Sequence, residues 1–324
     1  MLYFFKTIDM DKTRQDITLG RLAMMWLAER RASLKRSSVS TYALIISKHL
    51  SPRLGEHRVV TEADVRDFVE SLSERGLSRP TIEGYLRVLK MILRWAETRE
   101  LMGHVSVEKP AWPVSRPQAI QVLTVEQQRK LLRYLLGRPT PKNMGLWIGL
   151  STGMRIGELC ALRWGDIDTD NKVIFVRRTL NRIYRDGNLV SGATEINIDR
   201  PKTAQSERTV PICAELLKVL RVMKRLTHAD YYVITNSARP TEPAVYRRYY
   251  NRLMAGLGMD GIRFHALRHT FATRCVECNV DYKVIAGILG HASISTTLNT
   301  YVHPSERVKR QAVSKMLRRV LNGQ

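Results

Sequence analysis

A chain of 324 residues with 44% hydrophobic content is long enough for two domains, each with its own core, and excludes gross disorder. Fifty-three Lys and Arg against 30 Asp and Glu leave a formal charge of +23, which attracts polyanions and makes their binding weaken steeply with salt. No lipidation motif or transmembrane-length apolar run competes, so nucleic acid, not a membrane, is the expected partner.

Four cysteines, Cys160, Cys213, Cys275 and Cys278, make no disulfide framework in a chain of this size. The first residues, MLYFFKTIDMDK, lack the basic region of a signal peptide, and a cytoplasmic protein is expected.

Residues 1–16 carry no clear periodicity and read as an extended lead-in. A helix begins at Thr18, with Leu22 and Trp26 on one face and Arg30, Arg31, Lys35 and Arg36 near its end. A second follows Ser38 through Tyr42, Ile45, Ile46 and His49, and Pro52 and Gly55 are expected to end it. In the third, Thr61 and Asp64 resemble a capping box ahead of Val65, Phe68, Val69 and Leu72. The fourth opens at Ser78 with Pro80 in its first turn and buries Ile82, Tyr85, Leu86, Leu89, Leu93 and Ala96. Arg87, Lys90 and Arg94 form a second stripe on it. Such a stripe is commonly a solvated face, but the net charge turns the reading toward a DNA-facing surface. Three prolines and no helical period mark Val105 to Thr124 as an interdomain linker.

Thr124 and Gln127 cap the next helix, which runs through Leu131, Leu132 and Leu135, and a further apolar helix ends at Gly153. Arg155 then starts a helix, where free backbone N–H groups already favour an anion, and Glu158 one turn on is spaced to orient it. A plain Arg–Glu surface pair fits the same spacing. The only β-rich stretch, Lys172 to Ile212, fits a small antiparallel sheet with a turn at Asp186-Gly187 and Lys202 in a later polar turn. As an isolated residue, Lys202 reads as a solvated charge. Asp230 to Thr235 reads as a short strand. Thr241 opens a helix with Val245, Tyr249 and Leu253 inside and Arg247, Arg248 and Arg252 outside.

His265 and Arg268 are helical neighbours, but 8 histidines and 53 basic residues give about one such pair by chance. His265 and His269 have zinc-pair spacing, yet Ala266 stands where a zincin motif has Glu, and the single Cys275/Cys278 pair has no partner pair. Buried thiols and no metal are expected. Gly290 ends a helix and sets His291 at the start of the next. Tyr301 follows as one of 12 tyrosines, most of which belong to cores.

Joined in order, TGMRIGELCALRW, PKTAQSERTVPI, HALRHTFATR and LGHASISTTLNTYVH resemble the tyrosine recombinase (phage integrase) family, and the resemblance extends from about Thr18 to the end. It implies a mainly α fold: a four-helix SAM-like core-binding domain (18–104) after an N-terminal extension (1–17), a linker (105–121), an α-rich catalytic domain with a small antiparallel sheet (122–303), the DNA breaking-rejoining fold, and a tail helix (304–324). By motif position Arg155 and Arg268 match the catalytic arginines, Lys202 the hairpin lysine, His265 the first histidine, His291 the His/Trp position, Tyr301 the nucleophile and Glu158 the supporting acid. The implied reaction needs no cofactor: it passes through a 3′-phosphotyrosine and a Holliday junction on double-stranded DNA with paired sites.

The resemblance also implies a homo-tetramer exchanging tails, in a nucleoid-associated location. The tail's apolar Val308, Ala312, Val313, Met316, Leu317 and Val320 also suit packing on its own domain. A mobile-element integrase is favoured by the long basic hairpin. A Xer-type resolvase, a type IB topoisomerase and a non-catalytic DNA-binding regulator are the alternatives.

Overall fold

Apolar residues at helical spacing, bounded by side-chain caps, account for most of the elements. The structure is a computed structural model that describes residues 17–107, 112, 120–185, 193–200, 207–291, 293, 295 and 306–321. The lead-in 1–16, the linker prolines, the Asp186-Gly187 turn, Lys202 and Tyr301 lie outside the described residues. The chain divides into two compact units, Met1–Pro117 with Arg182–Asn197, and Gln118–Asn181 with Ile198–Gln324.

In the first unit, α1 (Leu19–Arg30) is capped by the Thr18 hydroxyl, which accepts the Arg21 amide. Lys35 and Arg36, expected near the end of α1, instead open α2 (Arg36–Ile45). Pro52 does not end that helix. A π-turn at Ile46–Leu50, closed by the Ser51 amide on Ile46 O, widens the backbone just before the proline ring, and the chain continues as α3 (Ser51–Leu54). This relieves the clash a proline makes with the carbonyl four residues back. The Thr61–Asp64 capping box starts α4 (Glu62–Glu74), and Ser78 precedes α5 (Arg79–Thr98), which has proline in its first turn. Trp26, Leu22, Phe68, Leu72, Leu89 and Ile92 fill the core of this unit. Arg87, Lys90 and Arg94 are all exposed along α5.

The second unit begins with α6 (Val125–Gly137), capped reciprocally by Thr124 and Gln127, and α7 (Pro141–Thr152), which is buried along most of its length. A short α8 (Ile156–Ala161) follows. In place of the single sheet expected, there are two. Strands β1 (Ile167–Asp168), β2 (Val173–Val176) and β5 (Arg208–Pro211) form one antiparallel sheet in the order β1-β2-β5, while β3 (Thr179–Tyr184) pairs with β4 (Thr194–Asp199). The break falls at Arg177 and Arg178: Arg177 stacks on Phe175, and Arg178 turns to pair with Asp166. Most of the β3–β4 hairpin belongs with the first unit, where the Tyr184 amide donates to Ser40 Oγ and Arg36 pairs with Glu195.

After α9 (Ala214–Lys224), the expected strand at 230–235 is not formed. Tyr232 makes isolated bridges to Arg163 and Ser237, because Asn236 adopts φ +47° and folds the chain straight back. Helix α10 (Pro243–Gly256) buries Tyr246, Tyr250, Leu253 and Met254, one residue round from the expected Val245 and Tyr249 stripe. On that inner face the Tyr246 hydroxyl donates to Lys142 O at 2.7 Å, while Val245 is exposed. Helices α11 (Ala266–Glu277) and α12 (Tyr282–Leu289) pack through Ala272, Ile285 and Leu289. The last helix, α13 (Glu306–Leu321), leaves Val313, Met316, Leu317, Val320 and Leu321 exposed. Among the described residues no helix is long and apolar enough to cross a membrane.

Candidate active site

Two glycines bring the site together. Gly153 ends α7 at φ +65°, and a Cβ there would lie 2.5 Å from Leu289 and 2.8 Å from Phe271. Gly290 ends α12 at φ +66° in a Schellman motif: its amide donates to Gly287 O at 3.2 Å and that of His291 to Ala286 O at 3.0 Å. The spacing Leu-Gly-His therefore sets His291 directly past the C-terminal, partially negative end of α12.

Arginines converge on that end. Arg268, on α11 and 3% exposed, donates to Gly153 O and to Leu289 O, both at 2.9 Å. Arg155 donates to the same Leu289 O at 3.4 Å and to Gly290 O at 3.2 Å. Its Nη1 also meets Glu158 Oε1 at 2.9 Å, while Glu158 Oε2 accepts the Arg155 backbone N–H at 2.9 Å. That carboxylate occupies the amide that sequence reasoning offered to an anion, so in Arg155 the guanidinium is left to do that work. Its side chain is 40% exposed, and among the described residues its Nε–H has no partner. The surface-pair alternative fails because Glu158 is 3% exposed.

One member was missed. Arg208 on β5, with its side chain 6% exposed, grips both Glu158 oxygens at 3.2 and 3.0 Å and donates through Nε to Ile288 O at 2.5 Å. Strand parity carried the signal: residues 208, 210 and 212 share one face, and Val210 and Ile212 are buried. Burial raises the Glu158 pKa, but the bond and charge of Arg208, then Arg155, outweigh it and hold the carboxyl below its ordinary range.

The histidines face the opposite field. His265, just ahead of α11, keeps an open edge to solvent, yet partial burial and then His269, Arg268 and Arg155 bring its pKa down to about 4. For His291, burial and then Arg268, Arg155, Arg208 and His265 bring it to about 4. Both are neutral at pH 7, so one ring nitrogen of each is a base and the other a donor. His269 lies edge-on to His265 with ring centroids 4.5 Å apart. Contrary to the expectation of buried thiols, Cys275 is half-buried and Cys278 exposed; both are free.

Four of the six residues matched to catalytic positions are thus gathered around the end of α12, together with Glu158; Lys202 and Tyr301 are outside the described residues. The arrangement gathers guanidinium and imidazole groups around one helix end, and these are the donor types that an oxyanion of a phosphate requires. A family model, the phage integrase family, matches residues 121–308. The chain belongs to the phage integrase family. It is a tyrosine recombinase, of the class that cuts and rejoins DNA strands.

Among relatives, a tyrosine recombinase XerC-like protein of Caldanaerobacter subterraneus subsp. tengcongensis is 26% identical over 93% of this chain and 83% of its own length. The transposase of transposon Tn916 from Enterococcus faecalis is 30% identical over 75% of this chain and 63% of its own. The Tn1549 transposon integrase, solved in complex with a circular intermediate DNA, superposes with a TM-score of 0.73 at 25% identity, covering 93% of this chain and 99% of that one.

Proposed function

We propose that this integrase-family protein moves a mobile element by site-specific recombination of double-stranded DNA. The observation that carries the chemistry is the convergence of Arg155 and Arg268 on one carbonyl, Leu289 O, beside two neutral histidines. In the proposed step the Tyr301 hydroxyl attacks the scissile phosphorus and gives its proton to His265. The bond from phosphorus to the 5′-oxygen breaks, and Lys202 protonates that oxygen. Arg155, Arg268 and His291 donate to the non-bridging oxygens as negative charge builds there. One phosphodiester replaces another, so the 5′-hydroxyl of a partner strand reverses the reaction without an external energy source.

The mobile-element reading rests on the relatives: the 30% match is a transposon protein, and the Tn1549 integrase fits with a TM-score of 0.73 at 25% identity. Xer-type resolution of dimers is the second reading, supported by the XerC-like relative. Helices α1 to α5 are the proposed SAM-like core-binding domain, with Arg87, Lys90 and Arg94 on its DNA face. The exposed apolar residues of α13 suit a dock on the neighbouring protomer of a homo-tetramer.

The test is a nicked suicide substrate that traps the covalent adduct. Tyr301→Phe is expected to bind this DNA as well as the unaltered protein and to form no adduct. Adduct formation by Tyr301→Phe removes the nucleophile assignment, and a wild-type protein that forms none on any cognate site favours the DNA-binding regulator.

A further inference from the structure

Arg155 and His291 are flexible or loop-borne groups that must be held within a fraction of an ångström to act on a phosphate. Arg155 is half open to solvent, and its carboxylate partner Glu158 is a buried anion that has to be fixed before it can fix anything else. Arg208 performs that task from a third element. Its fork closes on both Glu158 oxygens, the same two atoms that receive the Arg155 guanidinium and backbone amide. Its Nε takes the carbonyl of Ile288, while Arg155 and Arg268 take the next two carbonyls, of Leu289 and Gly290. The last three carbonyls of the α12 end are therefore shared among three guanidiniums, and His291 follows immediately. A Cβ on Gly290 would stand 3.0 Å from Arg208 Nη1, so this guanidinium packs closely against the turn.

Resting on the recombinase reading, we infer that Arg208 is a positioning residue of the active site: through Glu158 and the Ile288 carbonyl it sets the orientation of Arg155 and His291, and with it the rate of strand cleavage. Arg208 touches no reacting atom in this scheme. Lysine cannot replace it, since a single ammonium does not span two carboxylate oxygens and a carbonyl in fixed directions.

The experiment is a double-mutant cycle on single-turnover adduct formation with a nicked suicide substrate, using the full chain with Arg208→Gln, Glu158→Gln and both together. Arg208→Gln is expected to slow cleavage roughly a hundredfold, the scale of a misplaced catalytic group, with DNA affinity within about twofold of wild type. In the Glu158→Gln background the same change is expected to cost less than about threefold, because the route from Arg208 to Arg155 is already cut. Additive losses, or a single-mutant loss below about threefold, overturn the inference. If Arg208→Gln does not fold, Arg208→Lys decides: folded, slowed and non-additive supports the role, whereas wild-type cleavage or failure to fold refutes it. Wild-type protein forming no adduct would fault the recombinase reading itself, separately from Arg208.

Discussion

Gly258 and Gly290 offer a matched pair in which one steric contact is the only planned difference. Both follow a helix of the second unit in a Schellman motif. Gly258 donates to Ala255 O and Met259 to Met254 O, as Gly290 does to Gly287 O and His291 to Ala286 O. Their φ values are +67° and +66°. Alanine at either costs about 1 kcal/mol for the left-handed backbone. A Cβ at Gly258 meets nothing within 4 Å, whereas at Gly290 it meets Arg208 Nη1 at 3.0, Cδ at 3.1 and Cζ at 3.2 Å. Arg208 is tied to Glu158 and Ile288 and yields only by giving up one charge-assisted bond, about 1.5–3 kcal/mol. Gly258→Ala should therefore lose about 1 kcal/mol and Gly290→Ala about 3 kcal/mol in urea unfolding of this unit. Only Gly290→Ala should also slow adduct formation, by tenfold or more on the scale of a displaced catalytic group. Equal stability losses, or unchanged cleavage in Gly290→Ala, would refute the argument that Arg208 and the turn are in rigid contact.

Two more expectations concern charge. His265 and His291 have folded pKa values of about 4, below the ordinary 6.5, so the folded state resists their protonation. Their contribution to stability is complete above pH 6.5 and is lost as pH falls toward 4, and the acid limb of adduct formation at sub-saturating DNA should lie well below pH 6.5. A limb centred at 6.5 would mean that neither ring is held neutral by its burial and by the nearby Arg268 and Arg155. On the exposed face of α5, Arg87→Ala, Lys90→Ala and Arg94→Ala should each weaken DNA binding and lower the salt slope by about one. An unchanged slope in all three would return that stripe to solvent.

Local rules with a single physical cause were legible in the chain. Thr61–Asp64 and Thr124–Gln127 cap their helices because hydroxyl and carboxyl or amide groups at that spacing satisfy orphan amides. Gly153 and Gly290 stop theirs because side chains rarely adopt their φ. What escaped depends on partners distant in sequence. Arg208 resembles any basic residue until Glu158, 50 residues away, is seen beneath it. The rotation of α10 sets Tyr246 against Lys142 O, about a hundred residues away, a partner that no periodicity encodes. The split of the sheet follows from Arg178 reaching back to Asp166. The first stripe of α5 was legible because a long amphipathic helix largely sets its own face.

The gathered charges explain why so crowded a cation cluster is stable before DNA arrives. Three guanidiniums, Arg155, Arg208 and Arg268, gather with one carboxylate, Glu158, which pairs with the first two, so with neutral histidines these described residues carry +2. Like charges this close would drive the elements apart if no acceptors lay between them. The negative end of α12 supplies the acceptors: three consecutive carbonyls from Ile288 to Gly290 take guanidinium N–H groups, and Gly153 O takes another. Carbonyls offset the repulsion without cancelling the net charge, which a second carboxylate would do. A phosphodiester brings one negative charge, and the pentacoordinate state brings about one more, so a net positive field stabilises the transition state more than the bound substrate. Converting Leu289 O or its neighbours into weaker acceptors would therefore damage the resting site. Adding an acid beside Arg268 would stabilise the fold and slow the reaction.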